Sequence, residues 1–312
     1  MGTAKDIQVC FNPHFDAVSL WIGSFGGADS PCDISRGVFA ARQGVPRILE
    51  MFARYGIRTT WDITGHSIES FPREAEMVAK QGHEIGVHGY THENPLAMSR
   101  QQEVDVLDRC VELVTDLSGV RPTGYVAPWW ELSPNTIDLL TERGFTYDSS
   151  LMEDDYSPYY LRKGDRWTKI DYSRDAAEWM KPWVPGEPVD LVELPASWYL
   201  DDAPPMMFVK TFPNSHGWVN PRDIEEIWRD QFDWIYRHYD YAIYCCVIHP
   251  DCAGKPQVLM MVERLIDHIM AHSGVRMVTK GEMAADFKRR QPFNGAGGAD
   301  PAGAQAQAPS TP

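Results

Sequence analysis

"FPREAEMVAKQGHEIGVHGYTHENP" (residues 71–95) decides the fold. Its first half, 71–82, spaces apolar residues as a helix does, with Pro72 in the first turn and Gly82 as a stop. "HEIGVH" (83–88) then reads as a short apolar strand. Upstream, "IRTTWDIT" (57–64) is β-branched and aromatic, so a second strand precedes the helix. Further strands are expected at "IQVCF" (7–11), "TGYVAP" (123–128), "FTYDSS" (145–150), "DLVELPAS" (190–197), "AIYCCVIHP" (242–250) and "VRMVT" (275–279). Helical patterns fall between them at 44–56, 99–119, 133–144 and 258–274, with Ser99 as an N-cap and Gly119 as a stop. Alternating βα units of this length build a parallel sheet with helices outside. With about seven units around one core, a closed or nearly closed barrel fits better than an open sheet.

The expected organisation is a single α/β domain over 1–292 and an Ala/Gly/Pro/Gln-rich disordered tail over 293–312. Residues 151–189, aromatic and rich in Pro and Gly, read as one long functional loop or insertion. The formal net charge of −15 repels nucleic acid and anionic lipid. No run of about 18 apolar residues exists to span a membrane. "MGTAKDIQVCF" lacks a secretory pattern, and the six cysteines form no CxxC pair, so a reducing, cytoplasmic location is expected.

Chemistry is expected where strands end and loops begin. His88 and His92, four apart, can present two ligands on one face. His14 and Asp16 stand two apart on an extended segment, which puts both on one side. His249 closes a late apolar strand in "VIHPD", and "GYVAPWW" brings Trp129 and Trp130 to another strand end. These ends offer residues able to ligate a metal, transfer protons or wall a pocket.

In these motifs the chain resembles the polysaccharide deacetylase, or NodB-homology, family over about residues 5–290. "HFDAVS" resembles the family's first motif and "HGYTH" its HxxxH motif. "GYVAPWW", "VELPASW" and "VIHPDCAGKP" resemble the third, fourth and fifth. The wording of "YDSSLMEDDYSPYYLR" and "ELPASWYLDDAP" resembles a cytoplasmic branch that holds peptidoglycan-deacetylase-like proteins and relatives of cyclic imide hydrolases. The resemblance implies a distorted (β/α) barrel, a divalent metal, usually Zn2+, and hydrolysis of an amide C–N bond. It implies Asp16, His88 and His92 as metal ligands and His249 as the acid that protonates the leaving nitrogen. Trp129 is the nearest backbone N–H donor for an oxyanion, because Pro128 has none. Trp129, Trp130 and Trp198 would wall the substrate pocket.

This chain departs from the family pattern in its first and third motifs. The family's base is an Asp just ahead of the metal-binding Asp, but here the residue two before Asp16 is His14. The Arg that commonly orients that base is replaced by Val126 or Ala127. His14 is therefore the base, a fourth ligand, or part of a site with weakened catalysis, and Asp62 is a candidate to hold it. The leading expectation is a metal-dependent hydrolase of a small amide or cyclic imide. The alternative is an N-acetylglucosamine or peptidoglycan deacetylase, or a metal-binding relative with weakened catalysis. The resemblance also implies a homo-oligomer, a tetramer, with "YLDDAPPMMF" offering apolar residues for the interface.

Overall fold

The computed structural model describes residues 5–211, 217 and 219–295. Its centre is β1, Asp6–Phe15, buried along nearly its whole length. On one side β1 runs parallel to β8, Tyr241–Ile248, in continuous register from Asp6↔Tyr241 to Pro13↔Ile248. Its other side is shared in parallel: β9, Val275–Met277, takes Ile7 to Val9, and β2, Thr60–Ile63, takes His14 and Phe15. Asn12 and Pro13 read as a strand end but lie inside β1. The buried Asn12 amide is accommodated because Nδ2 donates to Thr60 O and to Asp62 Oδ2, each at 2.8 Å.

From β2 the sheet continues in parallel through β3, Glu84–Val87, β4, Gly124–Tyr125, β5, Tyr147–Asp148, and β7, Glu187–Glu193. Among the described strands only β6, Tyr159–Lys163, is antiparallel, and it forms the outer edge beside β7. The order is β6-β7-β5-β4-β3-β2-β1-β8, with β9 beside β1. This curled sheet is the expected distorted barrel. The gap between its edges carries no strand ladder; Ile243 N–H donates to Tyr156 O at 2.9 Å, and Asp201 bridges to Val247.

Amphipathic helices cover the outside, among them Val45–Tyr55, Pro72–Lys80, Arg100–Ser118, Pro221–His238 and Pro256–Met270. Ser99 caps its helix in a reciprocal capping box, and Gly119 ends it at φ 74 in the left-handed region. Phe11, Phe52 and Trp61 pack in the interior. Burying side chains of this size contributes roughly 1.5–3 kcal/mol each. No helix among the described residues is long and apolar enough to cross a membrane.

The segment 151–189 is not one irregular loop: it contains β6 and the start of β7, continued outward by a bridge between Arg166 and Val184. The helices Pro31–Phe39, Pro221–His238 and Lys280–Arg290 were not anticipated, nor was β6. "TGYVAP" gives only the two-residue β4, because its second half turns over to form the pocket wall. Of the expected tail, residues 296–312 lie outside the described residues.

Candidate metal centre

The site sits where β1, β3 and β8 end. Asp16 follows β1, and both of its carboxylate oxygens are buried with no hydrogen-bond partner among the described residues. Ala17, the next residue, takes φ 49, an unusual conformation for a residue with a Cβ. His88 follows β3. Its Nδ1–H donates to Val126 O at 2.8 Å, which leaves Nε2 as the bare nitrogen, buried and also without a partner.

His92 is oriented the same way by a hydroxyl. Ser24 Oγ donates its single proton to His92 O at 2.9 Å and so accepts from His92 Nδ1–H at 2.5 Å, leaving Nε2 bare. The loop that carries His92 is shaped by Glu93, whose carboxylate accepts from Tyr90 N–H at 2.9 Å and Thr91 N–H at 2.5 Å. It presses so closely on the helix Val18–Gly23 that a Cβ on Gly23 would lie 1.9 Å from Thr91 O. His92 itself sits at φ 58.

Asp16, His88 and His92 thus aim ligand atoms within 4.8 Å of one another. Asp16 Oδ1 is 3.6 Å from His88 Nε2, and Asp16 Oδ2 is 3.9 Å from His92 Nε2. Donors bound to one Zn2+ in a tetrahedron stand roughly 3.3–3.5 Å apart, so a small inward movement completes the set. Two buried nitrogens fixed as lone-pair donors beside an unpaired buried carboxylate fit a divalent cation. Without one, burial pushes the Asp16 carboxyl up, opposed by His88 and His249.

His249, at the end of β8, reaches the same point from the opposite side, with Nε2 3.7 Å from Asp16 Oδ2. Its Nδ1 and its backbone N–H both meet Asp202 Oδ1 at 2.9 Å, and Asp201 Oδ1 lies 3.4 Å from Nδ1. Burial works against a charged imidazole here, but Asp201, Asp202 and Asp16 outweigh it and raise His249 to about 10. Burial, in turn, raises Asp201 to about 7.

His14 completes a cluster of four imidazoles, its ring centre 4.5 Å from that of His88 and 5.2 Å from that of His249. Its burial and the neighbouring His88 and His249 hold it well below the ordinary histidine range, as a neutral ring. Its Nε2 lies 3.0 Å from Asn12 Oδ1, with Asp62 Oδ2 farther off at 3.8 Å. Asp62 sits behind His14 and reaches it through Asn12, not through a direct hydrogen bond.

A pocket of about 300 Å3 opens over the imidazoles of His14, His88, His92 and His249. Its walls include Phe25, Trp129, Trp130 and Trp198, with Met207 and Val209. Trp129 and Trp130 hold φ 62 and φ 54, so two consecutive aromatic residues occupy the left-handed region. The turn is braced from behind: Ala127 N–H donates to Ser150 Oγ at 2.9 Å, and Ser150 Oγ donates to Asp148 Oδ1 at 2.7 Å. At the mouth Trp198 is half-exposed and packs on Trp130 with ring centres 4.4 Å apart.

All three metal-ligand candidates, His14, His249 and the three tryptophans therefore meet in one place, and Asp62 supports them from beneath. Sequence reasoning missed Asn12, Lys280, Ser24 and the Asp201–Asp202 pair. The pair stands in "YLDDAP", which reads at first as an interface segment. Within "YLDDAPPMMF" Met207 turns inward and walls the pocket, as does Val209 just beyond it, while Tyr199 is 76% exposed. The same segment lines the cleft through Asp201, Ala203, Pro204 and Met207. The described residues of 151–189 do not line it.

Residues 33–147 match the model of the polysaccharide deacetylase family. A peptidoglycan deacetylase of Helicobacter pylori is 56% identical over 289 residues, covering 93% of this chain and 99% of that protein. Among solved structures, a Mycobacterium smegmatis protein assigned to the polysaccharide deacetylases superposes with a TM-score of 0.78 at 28% identity, over 93% of each chain. The PuuE allantoinase superposes with a TM-score of 0.72 over 92% of each chain; at 21% identity this likeness concerns the fold alone.

Proposed function

This chain belongs to the polysaccharide deacetylase family, and on that premise we propose that it is a divalent-metal-dependent deacetylase of N-acetylated amino sugars of the peptidoglycan type. The coarse class follows from the family: hydrolysis of C–N bonds other than peptide bonds. The comparisons favour the deacetylase over the small cyclic imide, so the order of the two sequence-based readings is reversed. The observation that carries the proposal is the set of bare, buried ligand atoms on Asp16, His88 and His92 at the floor of a pocket that also holds a carboxylate-paired His249.

In this reading Asp16, His88 and His92 hold Zn2+. A divalent metal there supplies a water of lowered pKa and polarises the amide carbonyl. His14, a neutral imidazole, accepts the proton released from the attacking water. His249 gives its proton to the leaving amine nitrogen, and Asp202 holds its ring for that transfer. Its pKa of about 10 includes attraction by Asp16; once Asp16 serves a cation, that attraction weakens and the acid becomes more willing. The Trp129 N–H is the candidate donor to the oxyanion. The aromatic walls suit the apolar face of a sugar ring.

The second reading, a small cyclic amide or imide, is favoured by one observation: the pocket is walled largely by apolar side chains and is not a polar groove. A single panel separates the two. Metal-loaded protein is given N-acetylglucosamine oligomers and peptidoglycan fragments, with acetate measured, and in parallel hydantoins and cyclic imides, with ring opening measured. Acetate release from the sugars supports deacetylation; ring opening without acetate release overturns it. The six unpaired cysteines support a reducing compartment, which we propose as its location.

A further inference from the structure

We propose that Asn12, Asp62 and the buried Lys280 form a positioning chain that keeps the His14 proton on Nε2 and its lone pair on Nδ1. The inference rests on the reading of His14 as the base. It starts from Asn12, whose Nδ2 donates to two acceptors, Thr60 O and Asp62 Oδ2. A carbonyl oxygen and a carboxylate oxygen that already accepts from Lys280 Nζ only accept, so the Asn12 side chain cannot be turned around. Its Oδ1 must face His14 Nε2, 3.0 Å away. An amide oxygen only accepts, so Nε2 carries the proton and Nδ1 is the basic nitrogen. Among the described residues Nδ1 has no hydrogen-bond partner, and His14 lines the pocket.

Lys280 closes the chain by setting its ammonium group beside the Asp62 carboxylate. Its Nζ is 3.3 Å from Asp62 Oδ2, and both side chains are almost wholly buried, at 1% and 0% exposure. Lys280 reaches this place from the first turn of the helix Lys280–Arg290, where its backbone N–H donates to Thr60 Oγ1 at 2.8 Å. Thr60 and Asp62 both belong to β2, so the chain is anchored on the strand beside His14. A buried ion pair is a poor device for stability, since desolvating both charges offsets most of their attraction. Its use here is to set one hydrogen-bond direction through Asn12. Asn12, Asp62 and Lys280 are positioning residues; none of them lines the pocket.

The test reads the tautomer directly. Full-length protein carrying nitrogen-15 histidine is examined by two-bond proton–nitrogen correlation, with His14 assigned by loss of its signals in His14→Asn. The expected result in the unaltered protein is a protonated Nε2 and a bare Nδ1. In Asn12→Leu and in Lys280→Met the preference should relax toward a mixture. Turnover should then fall about 10–100-fold, the usual effect of removing a partner one layer behind the chemistry, with KM and metal content unchanged. A protonated Nδ1 in the unaltered protein overturns the proposal and requires no variant to fold. So does Asn12→Leu with an unchanged tautomer and unchanged turnover. If His14→Asn keeps full turnover, the base reading fails, while the tautomer measurement still judges the chain.

Discussion

Asp16→Asn should have opposite effects on the protein with and without metal. In the metal-free protein both carboxylate oxygens of Asp16 are buried and unpaired. Leaving a buried polar group unsatisfied costs about 1–3 kcal/mol, and more when it is charged. An amide at this position carries no charge and can donate to His88 Nε2, itself unpaired. Asp16→Asn should therefore stabilise the metal-free protein by about 1–3 kcal/mol at neutral pH. The unaltered protein should instead gain from Zn2+ by mass action, about 2.7 kcal/mol at a free concentration a hundred times Kd. For a chain of this size that is a rise in Tm of roughly 5 °C, and the variant should show none of it. The assay is thermal unfolding with chelator and with buffered Zn2+, with metal content measured on the same samples. The reasoning is refuted if metal-free Asp16→Asn is less stable than the metal-free parent, or if it keeps the Zn2+-dependent rise.

His249→Ala should lower turnover by about 10²–10⁴-fold with metal content unchanged, measured by acetate release and metal analysis; unchanged turnover would remove His249 from the acid role. Burial raises Asp148 to about 6 and holds Glu193 well above the carboxylate range, so the folded pair keeps protons that the unfolded chain has released. Stability of the metal-free protein should thus fall as pH rises from about 5 through 7, by at most about 1.4 kcal/mol per pH unit per proton. Glu193→Gln, which keeps its acceptor for Ser150 and Leu151 N–H, should flatten that slope in denaturant titrations, and an unchanged slope would refute the assignment. Light scattering should find a homo-oligomer, a tetramer, assembled through the outlying segment where Trp167, Tyr172 and Trp183 are 69%, 88% and 52% exposed. A monomer at micromolar concentration, or an unchanged assembly in Trp167→Asp combined with Trp183→Asp, would refute this interface.

The alternation of strands and helices was legible because each unit is a local pattern. The 71–88 unit, for example, carries its own periodicity, proline start and glycine stop. The metal-ligand candidates were legible for a similar reason: His88 and His92 stand in one short motif, and Asp16 stands in another. What could not be read is what only the assembled sheet decides. Asn12 looks like a strand-ending residue until β2 supplies Thr60 O and Asp62. Lys280 looks like an ordinary surface lysine in a helical first turn, and 218 residues separate it from its partner Asp62. The helix Pro221–His238 is amphipathic, but polar residues dominate it, so its apolar stripe is thin in the sequence. Met207 and Val209 are buried a few residues after the bridge between Asp201 and Val247, a long-range pairing that no local pattern announces.

The departures from the family pattern in the first and third motifs are best understood as one change. An aspartate base is an anion, and the arginine that commonly orients it also balances its charge. A neutral imidazole at His14 needs no such partner, and an arginine at Val126 or Ala127 would sit unpaired in a fully buried place. Orientation must then come from a neutral group, and Asn12 is one. Under the proposal above, the charges lie one layer back, at Asp62 and Lys280, which face each other and do not line the pocket. A cation at Asp16, His88 and His92 would then face a neutral base on one side and the carboxylate-paired His249 on the other. Restoring the family's residue alone, as His14→Asp, would add a second unpaired carboxylate to that of Asp16, with no arginine to answer it. It should therefore recover little turnover unless an arginine is restored at Val126 or Ala127 with it. Acetate release by the single and double variants, compared with His14→Ala, measures this; full recovery in His14→Asp alone would show that the two departures are independent.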